Sequence, residues 1–134
     1  MTNKKITVAI AGLGSRGNAY ADSCQHLSDQ IEIVAAADII PEKVERFSKK
    51  YGVRPEMCFS SAEEMLEKDK LADVMFICTM DRQHYGHAIP ALNRGYHLVL
   101  EKPASPVPEE CLEIARLANE KSLQVIVCHV LRYT

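Results

Sequence analysis

Three glycines and one carboxylate stand where they could hold a phosphorylated ligand. Gly12, Gly14 and Gly17 directly follow the apolar run 6–11, and Asp38 closes the next apolar run, about 20 residues further on. The first glycine permits a tight turn, the second lets a pyrophosphate approach the backbone, and the third lets the following helix pack close to the strand. The N–H groups that begin this helix then face the phosphates. The pattern therefore predicts a dinucleotide-binding loop.

Asp38 and the residues near it indicate which dinucleotide is favoured. A carboxylate at the end of the second strand can accept hydrogen bonds from ribose hydroxyls, whereas a 2′-phosphate there would be repelled. Two isoleucines follow Asp38, so no adjacent cation offsets that repulsion. We therefore expect NAD to be preferred to NADP. Ser15 and Arg16 complete the predicted phosphate loop. Arg16, Lys43 and Arg46 are the cations that could instead favour NADP.

The apolar pattern predicts strands and helices in alternation, an arrangement that would bring these residues together. Such alternation is typical of a parallel sheet with helices on both faces. We predict an α/β fold, a Rossmann-type doubly wound parallel sheet with strand order 3-2-1-4-5-6 and a ligand crevice at the carboxyl ends of strands one and four. A kink or restart is expected at Pro90. The strands are predicted at 6–11, 31–37, 57–59, 73–78, 97–100 and 124–128, and the helices at 16–27, 41–51, 61–66, 81–95 and 108–121.

Two further polar segments leave the predicted sheet at the same edge. Thr79 and His84 follow strand four, and Glu101 and Lys102 follow strand five. Because the carboxyl ends of parallel strands meet at one edge of the sheet, both segments are expected to converge on the nicotinamide half of a dinucleotide.

Together these motifs resemble the Gfo/Idh/MocA family, which includes glucose–fructose oxidoreductase and inositol dehydrogenase. The resemblance rests on the glycine loop, the segment 79–84, the run 96–103 with its Glu-Lys-Pro turn, and the closing run 129–133. It implies that residues 1–134 form an NAD(P)-binding Rossmann domain. It also implies a larger C-terminal α/β domain, absent from this chain, that binds substrate and mediates homo-oligomer formation.

The resemblance implies a role for each polar residue after strands four and five. Thr79 and His84 would lie beside the cofactor, and Glu101 would meet a cofactor ribose. The Lys102 ammonium would reach toward the cofactor's reacting carbon and the substrate, where it could position a hydroxyl and stabilise developing negative charge. Lys102 is therefore the candidate catalytic residue. The parent enzyme would transfer hydride between NAD and a secondary alcohol of a sugar or polyol, while this chain alone would be inactive.

Two other functions stay open at this point. Some members of the family cleave glycosidic bonds with tightly held NAD and no net redox change. A non-catalytic dinucleotide sensor would bind the same ligand without turnover. Lys102 argues against the sensor, because a sensor needs no ammonium near the nicotinamide.

Composition argues against several other classes of partner. The 134 residues carry a net charge of −2, which provides no basic field for nucleic acid or an anionic membrane. No apolar run approaches the roughly 20 residues that span a bilayer. The five cysteines contain no C-x-x-C pair, which favours reduced thiols in a cytoplasmic protein. His84 and His87 lie three residues apart, but no carboxylate is placed to complete a zinc site, so no metal is predicted.

Overall fold

Strands and helices alternate along the described part of the chain. The computed structural model describes residues 5–27, 29–79, 84–101 and 108–128, apart from the side chains of Ser15, Arg16, His84, Glu101, Val127 and Cys128. None of the helices in these residues is long and apolar enough to cross a membrane. The elements are β1 Ile6–Ala11, α1 Ser15–His26, β2 Ile31–Ala37, α2 Pro41–Tyr51, β3 Cys58–Phe59, α3 Ala62–Leu66, β4 Val74–Ile77, α4 His84–Arg94, β5 His97–Glu101, α5 Pro108–Glu120 and β6 Val125–Cys128, with a short 3₁₀ turn at Pro55–Met57 before β3.

The six strands form one parallel sheet in the order β3-β2-β1-β4-β5-β6. This confirms the strand order predicted from the sequence. The chain crosses from β1 outward to β2 and β3, then returns to β4 on the other side of β1. The carboxyl ends of β1 and β4 are therefore neighbours at the point where the strand order reverses, which is where open α/β sheets bind ligands.

Each face of the sheet buries a separate apolar core. Side chains alternate across β1, so Val8 and Ile10 pack with Phe47 of α2 on one face. Ala9 and Ala11 lie in the other core, which α3, α4 and α5 cover. Because both faces of β1 are covered, its residues 8–11 are all buried, as expected for an internal strand of a parallel sheet.

Local signals explain where the second and third helices begin and end. Pro41 opens α2, and Gly52 ends it in the left-handed conformation, with φ of 73°. At the start of α3, the Ser61 hydroxyl accepts the N–H of Glu64 at 3.0 Å. The Glu64 carboxylate reaches back to the N–H of Ser60 at 2.7 Å, one residue before the helix cap. The predicted capping box is thus present with its return bond displaced by one residue.

Of the kink or restart predicted at Pro90, the restart is wrong, because α4 continues through this residue to Arg94, and the kink stays a prediction. A proline inside a helix leaves the carbonyl four residues earlier without its intrahelical donor. Here that carbonyl belongs to Gly86, which is exposed to solvent. Water can therefore hydrogen-bond the carbonyl, and the helix continues.

Candidate functional site

The glycine loop joins β1 to α1, and close contacts explain two of its three glycines. Gly12 has φ of +94°, and a Cβ there would lie 2.6 Å from the carbonyl oxygen of Cys78, just beyond β4. A Cβ on Gly17 would lie 2.0 Å from the carbonyl oxygen of Gly12. Both glycines are therefore required by the fold, the first for the turn against β4 and the second for the approach of α1.

Gly14 differs from the other two glycines of the loop. It is the N-cap of α1, with φ of −78°, a value open to any L residue. Apart from Gly14 itself and its two chain neighbours, no heavy atom in the described part of the chain lies within 4 Å of the position that its Cβ would take. Neither conformation nor packing among these residues calls for glycine here. The first-turn N–H groups are therefore open to a ligand at this position, and a helix N-terminus suits an anion.

Asn18 fixes the loop from the first turns of α1. Its side-chain amide donates to the carbonyl oxygens of Leu13 at 2.8 Å and Gly14 at 2.9 Å. The Tyr51 hydroxyl of α2, which donates to the Asp22 carboxylate, lies 3.3 Å from the backbone carbonyl oxygen of Asn18. Because the loop carbonyls are held toward Asn18, the orientation of the loop peptides is fixed. Sequence reasoning missed this residue, which follows the last glycine of the motif directly.

Asp38 is connected to the glycine loop through its carboxylate. One oxygen accepts the N–H of Leu13 at 2.7 Å, and the other accepts the N–H of Ile40 at 2.8 Å. An ionised carboxylate offers about four acceptor positions, so about two remain for hydroxyl donors. The side chain therefore braces the loop and keeps the capacity to bind a ribose diol. The bond to Ile40, two residues on, is an Asx turn that any loop aspartate can form, whereas the bond to Leu13, 25 residues earlier in the chain, ties Asp38 to the glycine loop.

These residues line a crevice of about 320 Å³ at the carboxyl edge of the sheet. Ile39 lines this crevice, is 76% exposed and offers an apolar surface on which an adenine ring could pack. A larger groove of about 540 Å³ lies between α2 and β3 and shares Asp38 with the crevice, but the loop glycines do not line it. We define the crevice by its lining residues: Gly12, Gly14, Ala37, Asp38, Ile39, Ile40, Lys43, Ala62, Glu63, Cys78, Thr79 and His87.

The crevice also has a cationic side. Lys43 lines it together with Asp38. Arg46 and Lys50 line an adjoining groove that reaches Leu13 and Gly14. Lys43 and Arg46 are two of the cations predicted as possible partners for a 2′-phosphate, and both lie near the loop.

A buried histidine connects the wall of the crevice to α3. His87 on α4 is 3% exposed. Its Nδ1 lies 3.0 Å from the Thr79 hydroxyl, and its Nε2 lies 2.9 Å from a Glu63 carboxylate oxygen. This hydrogen bond is the largest cause that lowers the pKa of Glu63 below its ordinary value of 4.5. Thr79 was predicted at the site, whereas His87 and Glu63 were not.

One family fits both this fold and this loop. A model described as an oxidoreductase family with an NAD-binding Rossmann fold, GFO_IDH_MocA, matches residues 6–129. The chain belongs to the Gfo/Idh/MocA family. The resemblance inferred from the sequence motifs is thereby confirmed.

Individual relatives match the chain over most of its length. The D-glucoside 3-dehydrogenase of Escherichia coli K12 is 30% identical over 90% of this chain and 33% of that protein. Glycosyl hydrolase family 109 protein 2 of Phocaeicola vulgatus is 33% identical over 86% of this chain and 29% of that protein. The WlbA dehydrogenase of Chromobacterium violaceum, solved with NADH and UDP-GlcNAcA, matches at 25% identity with a TM-score of 0.86, covering 96% of this chain and 36% of that one. The chain thus spans about a third of the length of these Gfo/Idh/MocA relatives.

The structure brings together part of the predicted site. Gly12, Gly14, Asp38 and Thr79 line one crevice, and Gly17 packs against its loop. The side chains of Ser15, Arg16, His84 and Glu101 lie outside the described part of the chain, as does the whole of Lys102. Their predicted roles therefore stay predictions. Among the described residues, no group of three or more His, Cys, Asp and Glu side chains is arranged to hold a metal ion.

Proposed function

We propose that this chain is the NAD-binding domain of a dehydrogenase that transfers hydride between NAD and a secondary alcohol of a sugar or polyol. The observation that carries the proposal is the pairing of Gly14 with Asp38 at one crevice. Gly14 leaves space beside the N-terminus of α1, where a pyrophosphate would be stabilised. Asp38 keeps acceptor positions for ribose hydroxyls on the same crevice.

NAD is proposed to be preferred to NADP because of the charge on Asp38. Two like charges about 4 Å apart repel by about 1 kcal/mol in bulk water and by about 4 kcal/mol near a protein surface. Lys43 and Arg46 oppose this effect, since both lie near the loop and could approach a 2′-phosphate. We expect the repulsion to dominate, because the Asp38 carboxylate is fixed by two backbone N–H groups, whereas a lysine or arginine must lose side-chain entropy to reach the phosphate.

The nicotinamide ring of bound NAD would supply the hydride acceptor. The roles proposed for this chain's residues follow from the family resemblance. Thr79 and His84 lie beside the cofactor, and Glu101 accepts from a ribose hydroxyl. Lys102 positions the substrate hydroxyl and stabilises negative charge as hydride leaves the carbon.

A further domain is proposed to complete the active site, because the chain spans about a third of its dehydrogenase relatives. That domain would bind the sugar or polyol and supply the general acid and base. The 134-residue chain alone is therefore expected to bind NAD without oxidising polyols. Exposed apolar side chains at Leu112 of α5 and Ile126 of β6 support contact of this sheet edge with the further domain or with a second copy.

A glycosidase that uses NAD without net redox change is the second candidate. It is favoured by the 33% identity to a glycosyl hydrolase family 109 protein. Assays on a longer protein that contains this domain distinguish the dehydrogenase from the glycosidase. A dehydrogenase accumulates NADH in proportion to the polyol oxidised, whereas the glycosidase releases sugar from an aryl glycoside while NADH stays constant.

Calorimetric titration of the chain with NAD and with NADP tests the cofactor proposal. We expect NAD to bind more tightly by about tenfold or more, since each 1.4 kcal/mol of repulsion corresponds to a factor of ten. Asp38→Ser combined with Ile39→Arg should narrow or reverse the ratio. Asp69→Ser is the matched control, because that carboxylate is fully exposed and does not line the crevice. NADP binding as tight as NAD binding by the parent chain would refute the role given to Asp38.

A further inference from the structure

The His87 ring is held by hydrogen bonds at both of its nitrogens, to residues from two other parts of the fold. Thr79 follows β4, His87 lies on α4, and Glu63 lies in the first turn of α3. The ring nitrogens contact Thr79 and Glu63 at 3.0 and 2.9 Å, and the imidazole is almost wholly buried. Both Thr79 and Glu63 line the crevice. A fixed ring between two crevice residues can set how each of them presents its hydrogen-bonding groups.

The position of the ring proton follows from Glu63. The bond from His87 lowers the pKa of Glu63, so the carboxylate is ionised at neutral pH and can only accept. The proton of a neutral His87 ring must therefore be on Nε2, which leaves Nδ1 as an acceptor. In this neutral form the Thr79 hydroxyl, which lies 3.0 Å from Nδ1, donates to it, whereas a doubly protonated ring would reverse the bond. A hydroxyl has a single proton, so any other hydrogen bond of this oxygen is one that it accepts.

We propose that His87, as a neutral ring with its proton on Nε2, is a positioning residue that holds the Thr79 hydroxyl as a hydrogen-bond acceptor toward the crevice, with Glu63 fixing the tautomer of the ring. The part of the dinucleotide that meets Thr79 is then a hydrogen-bond donor, such as an amide N–H or a ribose hydroxyl, and not a phosphate oxygen. The inference rests on the proposed function, since it assigns a polarity to one wall of the NAD site.

A pair of substitutions separates the two bonds of the ring. In His87→Asn the side-chain oxygen can take the place of Nδ1 and accept from Thr79, while the link to Glu63 is lost. In His87→Gln the longer amide can reach Glu63 but does not reproduce Nδ1. We expect His87→Gln and His87→Leu to weaken NAD binding about 2- to 10-fold, the range for one hydrogen bond. His87→Asn should stay within about twofold of the parent, because it keeps the acceptor for Thr79.

A purely structural role for His87 predicts a different order. If the ring serves only to tie α4 to α3, His87→Gln should be the best-tolerated variant, and NAD affinity should follow thermal stability across the series. Either result would overturn the proposal. Thr79→Val completes a double-mutant cycle. Because His87 acts through Thr79, the double variant Thr79→Val/His87→Leu should bind NAD no more weakly than the single variants, and additive losses would contradict the proposal.

Nitrogen NMR of the chain with isotope-labelled histidine shows directly which ring nitrogen of His87 carries the proton. The expected signature of His87 is a protonated Nε2 and an unprotonated Nδ1, which His87→Asn removes from the spectrum and so assigns. A protonated Nδ1 would overturn the inference. The variant Gly14→Val distinguishes this failure from failure of the proposed function. If Gly14→Val abolishes NAD binding while the His87 variants leave it unchanged, the site stands and the role of His87 is refuted.

Discussion

Substitution of Gly14 tests whether glycine at this position is needed for ligand binding or for folding. Its φ of −78° suits alanine or valine, and among the described residues other than its two chain neighbours no heavy atom lies within 4 Å of the new Cβ. The structural cost is therefore limited to replacing glycine at an N-cap, about 1 kcal/mol. The effect on binding is larger. A side chain at this position displaces the pyrophosphate from first-turn N–H groups, and each hydrogen bond to a charged partner contributes about 1.5 to 3 kcal/mol.

We therefore expect Gly14→Val to weaken NAD binding by at least tenfold per lost bond, since 1.4 kcal/mol corresponds to a factor of ten. The free energy of unfolding in urea should fall by no more than about 1 kcal/mol, the cost of replacing glycine at the N-cap. Gly52→Ala is the matched control, because Gly52 ends α2 with φ of +73° and does not line the crevice. That control should lose about 1 to 2 kcal/mol of stability for the left-handed conformation and bind NAD normally. Unchanged affinity in Gly14→Val would refute the placement of the pyrophosphate, and an unfolded variant would show that Gly14 is required by the fold.

Three further substitutions test the supports of the site. Gly17→Ala should destabilise the chain by about 3 kcal/mol or more in urea unfolding, because its Cβ would lie 2.0 Å from a backbone oxygen; near-normal stability would contradict the close packing of α1. Asn18→Ala should cost about 1 to 2 kcal/mol for its two loop bonds and weaken NAD binding in calorimetry; unchanged binding would show that the loop holds its shape without the amide. The lowered pKa of Glu63 means that its bond to His87 adds stability above pH 4.5, lost as pH falls through the lower folded value. The urea midpoint of the unsubstituted chain should therefore decline more steeply on acidification than that of Glu63→Gln. Parallel pH profiles of the two midpoints would count against this bond.

The fold and the loop could be predicted because the signals that specify them are local. The apolar run of β1, the glycines after it and the proline and glycine that bound α2 each act within a few residues of chain. The strand order then followed from the alternation of strand and helix, which few topologies satisfy. The continuation of α4 through Pro90 could not be predicted, because it depends on whether the carbonyl of Gly86 meets solvent, and exposure is a tertiary property.

The contacts around His87 could not be derived in this way. Glu63 lies 24 residues earlier in the chain, and Thr79 belongs to a different element. Sequence reasoning considered His87 only as a metal ligand. A weaker signal was nevertheless present: His87 shares the buried stripe of α4 with Ala88, Ala91 and Leu92. A histidine on such a stripe must find hydrogen-bond partners inside the protein, which indicates a buried network although it does not name the partners.

Asp38 shows why a residue identified by a binding motif can also be required by the fold. The motif assigns its carboxylate to a ribose, and the structure adds bonds to the N–H groups of Leu13 and Ile40. Removing the carboxylate therefore leaves backbone donors without their acceptor and loosens the loop that binds the pyrophosphate. Serine restores one acceptor at most, because it has a single side-chain oxygen. A change of cofactor preference at this position must consequently lower affinity for both dinucleotides, unless a second substitution such as Ile39→Arg adds a cation for the 2′-phosphate.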